Sequence, residues 1–379
     1  MTESAVSVQN LSIDYVVGAG RFQAVSNVSL EVPTGHVVGI VGETGCGKST
    51  LAQAIPRLLP EPPATIGSGR IVFRGIDLVR VPLWRMPSLR GTGISMIFQE
   101  PLNSLNPAFR VYDQLAEAVH IRRQREAGGA VVDRREAPFD YSQRPSPGAA
   151  EVLSRPIVPS GSAARAARRA VERRPDLREE VLDYLRLVRI NDPETILDLY
   201  PHELSGGMRQ RVMIAMALSE KPALLIADEP TSALDVTIQA QVLTLMKELI
   251  EEVRTSILFI SHDLGVIAET ADELGVMYAG RLIEFGPVDE LFRSPRHPYT
   301  KALLRASPTR YKSDGPLASI PGAVPNLSRP PPGCRFHPRC PIARPVCRVD
   351  PPPELLATEG GGAAHGSACH FASEVANLP

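Results

Sequence analysis

The chain has 379 residues, and its 41 Lys+Arg set against 42 Asp+Glu leave a formal charge of −1, which argues against a general nucleic-acid or anionic-membrane binder. Apolar residues at 43% make most of it globular, and the length suits about two to three domains of roughly 150 residues each. Its longest apolar run, from Val212 to Leu218, falls well short of the roughly 18 residues of a membrane helix, and Met1-Thr2-Glu3-Ser4 has neither the basic nor the apolar region of a secretory signal.

Residues 6–15 and 24–32 are rich in β-branched residues and are expected as strands, with Gly18 and Gly20 between them. The run from His36 to Val41 is continuously apolar after its first residue, as suits a buried parallel strand. It leads directly into a glycine-rich loop and then a helical stretch at 51–59. Between Pro107 and Pro201 the pattern turns helical, most clearly at 111–123 and 177–188. Residues from about 125 to 174 interrupt it. Rich in Ala, Arg, Pro, Ser and Gly, they are expected to form a mobile insertion with a transient helix at 163–173. Buried strands are expected at 223–227 and 256–260 around a helix at 236–253, the βαβ rhythm of a parallel sheet. Beyond Gly286 the chain is Pro-rich and is expected to be loop, and it holds four of the five cysteines.

The loop Gly42-Glu43-Thr44-Gly45-Cys46-Gly47-Lys48-Ser49-Thr50 fits the phosphate-binding pattern at every fixed position. Its glycines let backbone N–H groups close around phosphates at a helix N-terminus. Lys48 is expected to reach the β- and γ-phosphates of a nucleotide, and the Ser49 hydroxyl to ligate Mg²⁺. No phosphate chemistry needs the Cys46 thiol, which reads as a tolerated small residue. The apolar run from Leu224 to Ala227 ends in Asp228 and Glu229. Asp228 is expected to hold Mg²⁺ through water, and Glu229 to be the base that polarises the attacking water. Ser205-Gly206-Gly207 opens the helix at 208–218 and makes a second anion-binding nest. Two phosphate-directed helix starts in one chain do not readily serve one nucleotide, which suggests a dimer in which each chain's nest completes its partner's site.

These motifs, with Ser232-Ala233-Leu234-Asp235 and Ser261-His262-Asp263 after them, stand in the order and spacing of the ATP-binding subunits of ABC transporters. The chain resembles that family over most of residues 6–290. The resemblance implies an α/β P-loop NTPase fold: a RecA-like parallel sheet with an antiparallel β subdomain, a helical subdomain at about 100–202 and a Cys-rich C-terminal extension. The ATPase domain would span 1–285, with the insertion at about 125–174, and the extension 286–379. It also implies that Gln99 senses Mg²⁺ and the attacking water, that His262 contacts the γ-phosphate, and that Asp235 belongs to the nucleotide site. Tyr15 is similar to the aromatic that stacks on adenine, with core packing as the alternative. Met208 stands where the general signature has Gln, a difference usual among peptide importers.

Further segments resemble the oligopeptide/dipeptide importer branch: residues 103–107, Tyr200-Pro201-His202-Glu203, 209–218, His297-Pro298-Tyr299-Thr300 and 333–341. The tail spaces its thiols as Cys334-x₅-Cys340-x₆-Cys347-x₂₁-Cys369, without the tight pair usual in structural zinc sites. Four thiolates also suit a four-iron four-sulfur cluster, which the resemblance extends to this chain; zinc, no metal or a disulfide are the alternatives. The implied function is ATP hydrolysis powering import of di- or oligopeptides, at the cytoplasmic face of the cell membrane. The implied partners are two transmembrane permease subunits, a second ATPase subunit and, indirectly, an extracytoplasmic peptide-binding protein, with no nucleic acid. Import of nickel, glutathione or another small solute is the alternative, and a soluble ABC ATPase acting on DNA or ribosomes is a third reading.

Overall fold

The structure, a computed structural model, describes residues 4–99 apart from Ala19, 104–127, 175–230, 255–306, 319–355 and 365–378, with single positions at 239, 242 and 244. The expected helix at 163–173, all but the first three residues of the insertion, and most of the expected helix at 236–253 lie outside the described residues, as does Asp235.

Two sheets make the frame. Strands β1 (Ser4–Val17), β2 (Gly20–Pro33), β4 (Ala64–Phe73) and β5 (Ile76–Asp77) form an antiparallel sheet in the order β2-β1-β4-β5. The central sheet has the order β11-β10-β9-β3-β8-β7-β6. Five of its strands run parallel: β3 (Val37–Val41), β6 (Ile94–Ile97), β7 (Leu224–Asp228), β8 (Ser256–Ile260) and β9 (Glu273–Tyr278). Strands β10 (Arg281–Pro287) and β11 (Gly366–Ser367) extend it antiparallel.

Every residue of β3, β7 and β8 is buried, which explains why all but the terminal Asp228 and Ser256 are apolar or glycine. Side chains alternate between the two faces of a strand, and this splits the core in two. Val37, Val41, Leu225, Ala227, Ile257 and Phe259 face one core. Val38, Ile40, Leu224, Ile226, Leu258 and Ile260 face the other, shared with the antiparallel sheet and with Leu51, Ala52 and Ala54 of helix α1 (Lys48–Ala54).

The first core is covered by helices α2 (Val111–Glu126), α3 (Pro175–Leu187) and α4 (Pro193–Leu197), which lie within the stretch 100–202, and by α5 (Gly206–Ser219) beyond it. Val111, Leu115 and Val119 of α2 meet Leu177, Val181 and Leu185 of α3 there at helical spacing. At the rim, Arg122 is 4% exposed and bridges Glu126 and Glu180, while Arg123 bridges Asp176 and Glu180.

Helix α1 starts three residues before the expected 51 and ends at Ala54 rather than 59. Pro56 lacks the N–H that would continue the ladder. The tail beyond 286 is not all loop. It forms α7 (Val288–Arg293), α8 (Pro298–Ala306) and α9 (Pro345–Val349), which follow α6 (Leu264–Thr270) in the chain. Prolines that read as breakers here open helices, where the missing N–H has no intrahelical partner to lose.

Candidate functional site

All the acting groups leave the carboxyl ends of neighbouring parallel strands, the usual place for a ligand in an open α/β sheet. From β3 the chain enters the glycine loop, and two of its glycines cannot be replaced without strain. A Cβ on Gly42 (φ +154°) would lie 2.2 Å from the Met277 carbonyl, and one on Gly47 (φ +104°) 2.4 Å from that of Ala24. Lys48 is buried, its ammonium donating to the carbonyls of Gly42 at 2.8 Å and Glu43 at 3.3 Å. Thr44 and Gly45 are exposed, while Ser49 and Thr50 are half-buried in the first turn of α1. Cys46 points into the second core with 0% exposure, and burial pushes its thiol pKa up. Its thiol accepts from the Lys48 ammonium at 3.9 Å, and its N–H donates to the Glu43 carbonyl at 3.2 Å.

At the end of β7, two strands away, the Ser49 hydroxyl donates to Asp228 Oδ1 at 3.1 Å. Burial pushes the Asp228 carboxyl up to about 6, with the Glu229 charge adding to it and the Ser49 hydrogen bond and Lys48 opposing. Such an under-compensated carboxylate beside a hydroxyl is a hard-oxygen pair suited to a divalent cation. Glu229 then takes a left-handed backbone conformation (φ +47°), and its N–H donates to the Ile260 carbonyl at 2.9 Å. For a non-glycine residue this is a strained arrangement. It holds the carboxylate where Gln99, two residues past β6, donates to Glu229 Oε2 at 3.0 Å. Nδ1 of His262, two residues past β8, lies 3.4 Å from the same oxygen. Asp263 fixes that corner: it caps α6 by accepting from the Gly265 N–H, and its own N–H donates to the Ser261 hydroxyl.

Ser205 caps α5, its hydroxyl accepting from the Met208 N–H at 3.3 Å, and both Ser205 and Gly206 are exposed. Tyr15 is half-buried and stacks on Phe22 across the β1–β2 pair, with centroids 5.4 Å apart. The four tail cysteines line one small cavity with Phe336, His337 and His370. Among the described residues, however, no group of three or more His, Cys, Asp or Glu is placed to hold a metal ion, so the expected iron-sulfur site is not supported by the geometry.

Sequence reasoning missed that the tail reaches the phosphate loop. The Tyr299 hydroxyl accepts from the Glu43 N–H at 3.0 Å, and Arg339 pairs with the Glu43 carboxylate at 2.7 Å. The segments 297–300 and 333–341 carried only a family resemblance, with no sign that they fold back over 250 residues. No helix among the described residues is long and apolar enough to cross a membrane.

A family described as ABC transporter matches residues 25–232, and one described as oligopeptide/dipeptide transporter, C-terminal region, matches 283–347. The dipeptide transport ATP-binding protein DppD of Bacillus subtilis is 43% identical over 92% of this chain and 90% of its own. The oligopeptide transport ATP-binding protein OppD of the same organism is 42% identical over 93% of this chain and 86% of its own. A dimeric bacterial ABC transporter cassette, MJ0796, shares the fold at a TM-score of 0.54, with 22% identity, over 75% of this chain and 98% of that one. A phosphate loop, a Ser-Gly-Gly helix start and an acidic strand end on this sheet, with both family matches and near-full-length relatives, place the chain among the ATP-binding subunits of ABC transporters, in the oligopeptide/dipeptide branch.

Proposed function

We propose that the chain binds MgATP and hydrolyses it to drive import of di- or oligopeptides through membrane permeases, the cargo that its relatives' names favour over nickel or glutathione. The observation that carries the reading is the meeting of Gln99 and His262 on one Glu229 oxygen, beside the Ser49–Asp228 bond that closes the phosphate loop. The N–H groups of residues 43–50 hold the phosphates, and Lys48 supplies positive charge to the β- and γ-phosphates. Ser49, Gln99 and, through water, Asp228 would hold Mg²⁺, which when bound neutralises charge developing on the phosphate oxygens. Glu229 accepts a proton from the attacking water while the water oxygen bonds to the γ-phosphorus. The bond from that phosphorus to the bridging oxygen breaks, and ADP leaves with its electron pair. Gln99 fixes the Glu229 carboxylate, His262 stabilises charge on the γ-phosphate, and the Tyr15–Phe22 stack is the candidate adenine platform.

Ser205, Gly206 and Gly207 are assigned to the opposing site of a second ATPase subunit, identical or homologous, and Asp235 to the nucleotide site. Residues 1–285 form the ATPase unit and 286–379 the extension. One of the two permeases would dock at the groove of about 300 Å³ beside Gln99, lined by Met96, Phe98, Ile121, Met213 and Met216, and the other on the second ATPase subunit. The reading assigns the chain to the cytoplasmic face of the membrane, with the peptide-binding protein acting from the far side. Replacing Glu229 by Gln should leave nucleotide binding within a few-fold and cut phosphate release by about a hundredfold or more. Undiminished hydrolysis would reject Glu229 as the base.

For the tail we assign Cys334, Cys340, Cys347 and Cys369 to a four-iron four-sulfur cluster, with zinc as the alternative. The four thiols share a cavity, and backbone N–H groups of Phe336, Ile342 and Phe371 are directed at Cys334, Cys340 and Cys369, but no three of them are placed to hold a metal, so the assignment rests on the family resemblance. Iron and acid-labile sulfide in anaerobically purified chain, both near four per chain, are expected. Stoichiometric zinc without iron would reject the cluster.

A further inference from the structure

The phosphate loop carries a carboxylate of its own, Glu43, beside the place where a polyanionic ligand must sit. That charge is clamped from the far end of the chain. Arg339 Nη1 donates to Glu43 Oε2 at 2.7 Å and Nη2 to Oε1 at 3.0 Å, a bidentate fork. Only 5% of the Arg339 side chain is exposed, and its remaining donors are taken by the Pro321 carbonyl at 2.8 Å, the Ile320 carbonyl at 3.3 Å and the Tyr278 hydroxyl at 3.4 Å. A guanidinium satisfied on all sides has no freedom to follow Glu43; it fixes it.

Two further contacts act on the same loop. The Tyr299 hydroxyl holds the Glu43 N–H, and its fully buried ring is packed against Tyr278 and Phe336, centroids 4.6 and 5.4 Å away. Arg335 donates to the Ala279 carbonyl and to Gln23 Oε1, and the adjoining Gly280 N–H donates to the Cys46 carbonyl at 2.9 Å. Arg335 and Arg339 both lie between Cys334 and Cys340, Arg339 in the short turn His337–Arg339.

We propose that the segment from Cys334 to Cys340 positions the phosphate loop, with Arg339 neutralising and pinning Glu43 so that the loop accepts the nucleotide's phosphates. Arg339 is a positioning residue, since it acts through Glu43. The groups assigned to the chemical step leave the ends of β6, β7 and β8, which Arg339 does not touch. Its loss therefore weakens ATP binding and spares hydrolysis of bound ATP. The inference rests on the ATP-site reading above.

Steady-state ATPase kinetics of the full chain with its permeases and partner ATPase test it, with Arg339→Met to remove the charge and keep the stem. KM for ATP is expected to rise at least about tenfold, while kcat stays within about threefold. The double variant Glu43→Gln/Arg339→Met is expected to recover most of the lost affinity, because the uncompensated carboxylate is gone. Arg339→Lys, which keeps the charge without the fork, is expected to fall between, and it serves if the Met variant does not fold. An unchanged KM in Arg339→Met, or a double variant as weak as the single one, would overturn the proposal. Lys48→Ala, with ATP binding read directly by fluorescent-nucleotide titration, separates the two readings. If it binds ATP normally the site assignment itself fails, whereas its expected loss of binding leaves that assignment standing whatever Arg339 does.

Discussion

His297 is 1% exposed, its Nδ1 accepts the Tyr299 N–H at 3.0 Å, and its backbone N–H donates to Glu284 Oε2 at 2.9 Å. Burial holds its pKa down to about 3, so the folded chain keeps the ring neutral where an unfolded chain protonates it. The sign follows: full stability above pH about 6.5, then a loss of about 1.4 kcal/mol per pH unit that ends as pH reaches the folded value near 3. His297→Asn keeps an acceptor for Tyr299 and removes the titration. Urea unfolding at about pH 7 and about pH 5 should show a smaller loss of stability in the variant than in the parent. Equal losses would mean that His297 is solvated and free to charge. At this scale the sequence was most legible where chemistry demands a side chain at fixed spacing, as with Lys48, Asp228 and Glu229. His262 and Gln99 needed the resemblance, because a lone histidine or glutamine after a strand has no spacing partner to mark it. Arg339 was invisible: one arginine among many, its role set by a contact with residue 43 that no local pattern encodes.

Elements built from one strong periodic signal were read well. Strand β3, the loop and the start of α1 form a single strand–loop–helix unit whose glycines are placed by sterics, and so the unit is written locally. Strand β4 went unread because Gly67 and Gly69 interrupt it. A Cβ on Gly69 (φ +95°) would lie 2.6 Å from the carbonyls of Gln9 and Asn10, at the point where the β1–β4 register shifts, a fit that only the assembled sheet explains. Glycine contrasts test the loop. Gly47→Ala should lower the thermal midpoint and abolish nucleotide binding, since its Cβ meets backbone and its φ is left-handed. Gly206→Ala, whose Cβ has nothing within 4 Å, should leave the midpoint and single-chain nucleotide binding unchanged within about twofold. Thermal scans with and without nucleotide separate the two. A large drop in the Gly206 variant would contradict the exposed start of α5.

For the whole molecule, the separation into an ATPase unit and a tail is one of sequence more than of packing. Glu284 of β10 is fully buried and is satisfied by the Arg296 and His297 N–H groups and by His365, Nε2 to Oε1 at 2.7 Å. His365 itself precedes β11, which pairs with β10. His365→Ala would leave a buried carboxylate one partner short, a loss of about 3 kcal/mol, and should lower the melting midpoint by several degrees. Denaturant unfolding of the full chain checks it, and an unchanged midpoint would mean that the His365 contact contributes nothing to Glu284. The Pro-rich tail concealed this, because its order comes from contacts with strands and loops made hundreds of residues earlier rather than from a periodic pattern of its own.

The late arrival of β11 has a consequence for biosynthesis. A ribosome adding about 5–20 residues per second completes β10 some 80 residues before Gly366 and Ser367 emerge to pair with it. For those seconds the nascent sheet presents a bare edge, its carbonyls and amides open to a neighbouring chain. During that interval a neighbouring nascent chain on the same polysome can pair with β10, and the arrival of β11 covers Glu284 and Phe285 and removes that opening.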